Sequence, residues 1–128
     1  MTRLVLLPGL DGTGELFATF IDALGGFATL VVAYPTDRAM TYAEHENFVR
    51  GKLPADEDFV LLAESFSGPI GISIAAAAPP RLKGLILCGT FASNPLPVFG
   101  PFAKLVGAAP AFRVPPALVA PLLYAGRA

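Results

Sequence analysis

Four short runs of apolar residues stand out along the first two thirds of the chain. They cover residues 3–7, 29–33, 59–63 and 84–88, and each of the first three leads through turn residues into a segment with helical spacing. Runs that stay apolar, without alternating with polar residues, are typical of strands buried on both faces of a helix-covered parallel sheet. The pattern therefore predicts an α/β fold with the element order β-α-β-α-β-α-β.

Local signals predict where the three helices begin and end. The first covers about residues 15–24. The second opens with a capping box formed by Thr41 and Glu44, and it should end near Leu53. The third begins near Pro69, which suits a first turn, and stops before Pro79. Because the third helix is almost wholly apolar, much of its surface should be buried.

The pattern changes near residue 94. Residues 95–121 are rich in proline, yet they are too apolar for a solvated linker. We divide the chain into an α/β core, residues 1–94, and an apolar helical extension, residues 95–128, which would act as a cap or as an oligomerisation segment.

Composition excludes several classes of function. Nine Lys and Arg residues against ten Asp and Glu give a net charge of −1, and without a basic block a nucleic-acid partner is not expected. One cysteine, Cys88, and one histidine cannot form a disulfide framework or a zinc site, so we expect no metal and no cofactor. Cys88 is expected to be a small buried residue at a strand end.

Pro8 interrupts the first apolar run, which is then too short for a signal peptide or a membrane anchor. We therefore expect neither segment, and we expect a cytoplasmic location.

The segment from Phe59 to Gly68 carries the clearest chemical signal. An apolar strand runs into a small-x-Ser-x-small pattern centred on Ser65 and then into a helix. A nucleophile elbow needs small residues two positions either side of its serine, here Ala63 and Ser67. Ser65 would then face the positive N-terminus of the following helix, where negative charge develops during acyl transfer. The alternative is a serine that only caps the helix.

The loop after the first strand, Pro8-Gly-Leu-Asp-Gly-Thr-Gly14, fits neither a dinucleotide-binding motif nor a P-loop. Strand, loop and elbow together resemble the α/β-hydrolase fold family over residues 3–94. The resemblance implies four strands in the order 2-1-3-4, a short doubly wound parallel sheet with helices on both faces. It also implies an oxyanion hole made by the backbone amides of Leu10 and Phe66. The implied reaction is hydrolysis of a small carboxylic ester or thioester through an acyl-enzyme at Ser65.

Members of that family carry a catalytic acid and a histidine after two further strands, and this chain reaches Ala128 without them. We therefore describe it as a truncated α/β-hydrolase core. Three residues are auxiliary candidates: Asp11, expected instead to tie its loop; Glu64, expected to be solvated or paired with arginine; and His45, expected to pack on its own helix.

Two functions remain open: a serine esterase, or a catalytically incomplete fragment that acts as a binding or assembly module. Residues 84–88 would leave an uncovered apolar sheet edge, which predicts a homo-oligomer.

Overall fold

Four parallel strands form the sheet at the centre of residues 1–92, the part of the chain that the computed structural model describes. The strands and helices alternate along the chain as predicted. The strands are β1, Thr2–Leu7; β2, Thr29–Val31; β3, Asp58–Glu64; and β4, Leu82–Cys88. The helices are α1, Ala18–Ala23; α2, Tyr42–Arg50; and α3, Gly68–Ala76, with 3₁₀ turns at Glu15–Phe17 and Ser65–Ser67.

The strand order is β2-β1-β3-β4, and every neighbouring pair is parallel. This confirms the predicted α/β class and sheet order. Leu7 pairs with Ala63 where β1 and β3 end, so the loop after β1 and the turn after β3 emerge side by side. The order reverses between these strands, and such a reversal leaves a crevice at the carboxyl ends of the strands.

The sheet has a buried core on each face. Val5, Leu7 and Leu61 point toward the face on which Ile70 and Ile74 of α3 pack. The opposite face consists of Leu4, Leu6 and Leu62, covered by Phe17 and by α1. Each fully buried aliphatic side chain stabilises the fold by about 1.5–3 kcal/mol, which explains why the strands are apolar on both faces.

The ends of several elements differ from the predictions for local reasons. The capping box of α2 is present in full, but the helix ends at Arg50 because Gly51 closes its last turn. Strand β2 stops at Val31 instead of residue 33. The Val32 amide still donates a hydrogen bond to Leu6 O at 3.0 Å, and the Tyr34 amide then donates to Gly12 O of the loop after β1 at 2.7 Å.

Strand β4 is the edge of the sheet in residues 1–92, where it pairs only with β3. Its residues Ile86 and Leu87 are 46% and 47% exposed. Cys88 ends the strand as predicted, but the expectation that it is buried is wrong, because it is exposed on the strand that forms the sheet edge in residues 1–92. The extension predicted for residues 95–128, and residues 93 and 94 of the predicted core, lie outside the described residues.

Candidate functional site

Ser65 occupies a sharp turn between β3 and α3. Glu64 is still extended, with φ −99° and ψ 135°, whereas Ser65 has φ +45° and opens the 3₁₀ turn that leads into α3. A non-glycine residue in this left-handed region costs about 1–2 kcal/mol. Strain of this kind persists only where the surrounding structure holds it, and it clusters at functional sites. A sharp strand-to-helix turn of this kind is what the predicted nucleophile elbow requires, and the role of Ser65 as a nucleophile stays a prediction.

Thr90, just beyond β4, contacts the strained turn at Ser65. Its hydroxyl Oγ1 donates a hydrogen bond to Ser65 O. A Cβ atom at Gly68 would lie 1.8 Å from Thr90 Oγ1 and 2.7 Å from Thr90 Cβ. Only glycine at position 68 therefore allows this contact. Thr90 carries no sequence signal for this role, because nothing in the local pattern relates it to a turn 25 residues earlier.

The loop after β1 lies directly against the turn. A Cβ atom placed on Gly9 would be 3.6 Å from Ser65 Cβ, and 3.8 Å from both Glu64 Cδ and Asp11 Oδ1. Ser65, Glu64 and Asp11, which the sequence suggested as separate candidates, therefore all lie close to Gly9. Glu64 is half-buried there, and it forms no ion pair within residues 1–92.

Asp11 gives the loop its shape. Its Oδ2 atom accepts hydrogen bonds from the Gly14 amide at 3.3 Å and from Thr13 Oγ1 at 2.8 Å, which is the loop-tying role expected from the sequence. The Gly12 amide donates to Gly9 O at 3.0 Å and completes the turn. With these bonds in place, Asp11 acts as a structural acceptor.

The two amides predicted to bind an oxyanion belong to the loop after β1 and to the turn after β3, which lie against each other. Phe66 lies in the first turn after Ser65, where backbone N–H groups have no acceptor within the helix and carry partial positive charge. Leu10 lies in the loop with its side chain 83% exposed, and its amide donates to no backbone acceptor in residues 1–92. That these two amides bind an anionic oxygen stays a prediction.

Aromatic rings cover the turn on the side of α2. Tyr42 stacks on Phe66 with ring centroids 4.8 Å apart, and its hydroxyl donates to Phe66 O at 3.2 Å. The His45 ring lies 5.1 Å from the Phe66 ring and 4.8 Å from the Tyr34 ring. His45 is therefore closer to the turn than its helix position suggested.

The hydrogen bond of His45 fixes which nitrogen carries its proton. Nδ1 lies 2.8 Å from Thr41 O, and because a carbonyl only accepts, Nδ1 is the donor. The lone pair of the neutral ring is then on Nε2. In residues 1–92 no hydrogen bond joins His45 to Ser65.

Ser67 is fully buried and connects three segments. Its Oγ lies 2.5 Å from the Tyr34 hydroxyl and donates to Pro8 O. Burial raises the pKa of Tyr34 to about 12, so its phenol stays protonated at neutral pH. From its sequence position Ser67 is predicted only to be a small turn residue, and no local pattern indicates this connection.

An open, mostly apolar cleft of about 230 Å³ lies beside the turn, on the α1 face of the sheet. The residue before Ser65, Glu64, contributes to its wall. The lining residues are Leu16, Phe17, Phe20, Leu62, Glu64 and Cys88.

Residues 1–92 contain no group of three His, Cys, Asp or Glu side chains placed to hold a metal ion. None of the helices in that range has the length and apolar character needed to span a bilayer. No protein-family model matches this chain, and a search of curated proteins finds no similar sequence. Any functional assignment therefore depends on the geometry of the site.

Proposed function

We propose that this protein is a serine-dependent acyl hydrolase with an α/β-hydrolase core, acting on small carboxylic esters or thioesters. The observation that carries the proposal is the φ of +45° at Ser65, in a turn from β3 to α3 that lies against the loop after β1. Glycine would adopt the same turn without the steric strain, so the turn by itself does not require serine at this position.

The proposed reaction has two steps. Ser65 Oγ attacks the acyl carbon, the bond from that carbon to the alcohol or thiol breaks, and the leaving group takes up the serine proton. Water then attacks the acyl-enzyme, which releases the carboxylic acid and restores the serine hydroxyl. In both steps the amides of Leu10 and Phe66 would bind the negative oxygen of the tetrahedral intermediate.

The apolar cleft supports a preference for uncharged acyl groups. Leu16 and Phe20 are exposed at its rim and offer contact to a short or medium acyl chain. The carboxylate of Glu64 in the wall disfavours anionic substrates. We propose a cytoplasmic location as well, where an exposed thiol such as Cys88 stays reduced.

The second candidate function is a binding or assembly module without turnover. It is favoured by one observation: within residues 1–92, no hydrogen bond links Ser65 to a base that could remove its proton.

Covalent labelling followed by ester turnover separates the two. We expect a fluorophosphonate to modify Ser65, as located by mass spectrometry, because the turn and the two amides stabilise the tetrahedral adduct even without a full triad. Wild-type protein should also hydrolyse a small activated ester faster than Ser65→Ala, whereas Ser73→Ala, at an exposed serine, should match wild type. Equal turnover by wild type and Ser65→Ala contradicts the enzyme and favours the module.

A further inference from the structure

The loop after β1 is held at two points that bracket its predicted oxyanion donor. Ser67 Oγ donates to Pro8 O on one side, and the Tyr34 amide donates to Gly12 O at 2.7 Å on the other. Only residues 9–11 lie between these points, and Leu10 is the middle one.

The direction of each hydrogen bond in the buried chain follows from the groups involved. Pro8 O can only accept, so Ser67 must use its single proton to donate to it. Ser67 Oγ is then the acceptor from the Tyr34 hydroxyl, 2.5 Å away. The chain therefore runs Tyr34 to Ser67 to Pro8, and it joins the end of the β2 segment, the elbow and the oxyanion loop.

A capping role does not explain Ser67. Serine at this position, the N-cap of α3, would normally accept a hydrogen bond from an amide of the first helical turn. Here Ser67 makes no such bond, and its hydroxyl contacts residues 33 and 59 positions away in the sequence. The Ser67 hydroxyl therefore makes tertiary hydrogen bonds and does not cap the helix.

We propose that Ser67 and Tyr34 are positioning residues: they clamp the loop after β1 so that the Leu10 amide faces the same point above Ser65 as the Phe66 amide. The inference rests on the proposed function. Neither residue touches the substrate. Both act by fixing a donor whose contact with the oxyanion is made mainly in the transition state.

The test compares Ser67→Ala and Tyr34→Phe with wild type, with Ser73→Ala as the matched control on the same helix. Ser67→Ala should lower the second-order rate of fluorophosphonate labelling at Ser65 by about tenfold to a hundredfold, since a small misplacement of one donor is enough for such a loss. Tyr34→Phe keeps the bond from Ser67 to Pro8 and should have a smaller effect. Ser73→Ala should stay within about twofold. In ester turnover the loss should fall on kcat, with KM nearly unchanged.

Hydrogen exchange of the loop gives a readout that does not depend on catalysis. The amides of Gly12 and Gly14 donate to Gly9 O and Asp11 Oδ2, and they should exchange faster in Ser67→Ala than in wild type. Thermal unfolding of each variant shows whether it is folded at the assay temperature. If Ser67→Ala is unfolded there, labelling and loop exchange are compared between Tyr34→Phe and wild type instead.

The possible results separate the two ideas. Slower labelling together with faster loop exchange supports the clamp. Unchanged loop exchange, or labelling of the folded variants at the wild-type rate, overturns it. Wild-type protein that is not labelled at all refutes the proposed function, whatever the exchange data show about the loop.

Discussion

The strain at Ser65 predicts that the Ser65→Gly variant is more stable than the Ser65→Ala variant, and that both variants lose the proposed chemistry. Ser65→Gly and Ser65→Ala both remove the hydroxyl, which makes no hydrogen bond to His45 in residues 1–92. Only glycine also removes the clash of Cβ at φ +45°. Comparing the two variants therefore isolates the backbone strain.

The size of the effect follows from two opposing terms. Relief of the left-handed conformation gains about 1–2 kcal/mol. The greater freedom of glycine in the unfolded chain costs about 0.4–1 kcal/mol. We expect Ser65→Gly to be more stable than Ser65→Ala by about 0.5–1 kcal/mol, which corresponds to a Tm difference on the order of 3 °C for a chain of this size.

The assay is urea and thermal unfolding followed by circular dichroism, with the m-value checked for constancy. Ala78 provides the matched control, because it has φ +47° just after α3 and plays no part in the site. Ala78→Gly should stabilise the protein by a similar amount. If Ala78→Gly is stabilising but Ser65→Gly is no more stable than Ser65→Ala, the turn at Ser65 is not strained and the main argument for a nucleophile fails.

Three further outcomes follow. Gly68→Ala should lower the free energy of unfolding in urea by about 1–3 kcal/mol, because the new Cβ overlaps Thr90. The control Gly51→Ala, at an uncrowded helix end, should not lower it. Equal stabilities of the two variants would contradict the packing of Gly68 against Thr90. His45→Ala should keep any Ser65-dependent ester turnover within about tenfold of wild type, and a collapse of turnover in a folded variant would make His45 the base. The exposed edge strand β4 predicts self-association, measurable by light scattering; a monodisperse monomer at high concentration would argue against it.

The fold was largely predictable because its signals are local. Continuous apolar runs identified all four strands, and the capping box at Thr41 and Glu44 placed the start of α2 correctly. The parallel arrangement also follows from the sequence, since strands separated by helices are parallel in a covered sheet. The exposure of Cys88 at the sheet edge was harder to predict. Cys88 ends a typical apolar strand, and the sequence of that strand does not indicate which neighbouring elements cover it.

For the candidate site, the sequence could propose only residues that belong to a local motif. Ser65 and the loop containing Leu10 were found because small residues and glycines mark sharp turns wherever they occur. The sequence also suggested that β1 and β3 are neighbours, through the family resemblance, and the register of Leu7 with Ala63 now brings loop and turn together.

The sequence by itself therefore determined the succession of elements, the covered sheet and the position of the strained serine, because backbone propensity and hydrophobic pattern act over a few residues. Only the tertiary structure decided the clamp from Tyr34 through Ser67 to Pro8, and the packing of His45 on Phe66. These contacts join residues 21–59 positions apart, and their partners are set by how strands and helices pack, which no local pattern encodes.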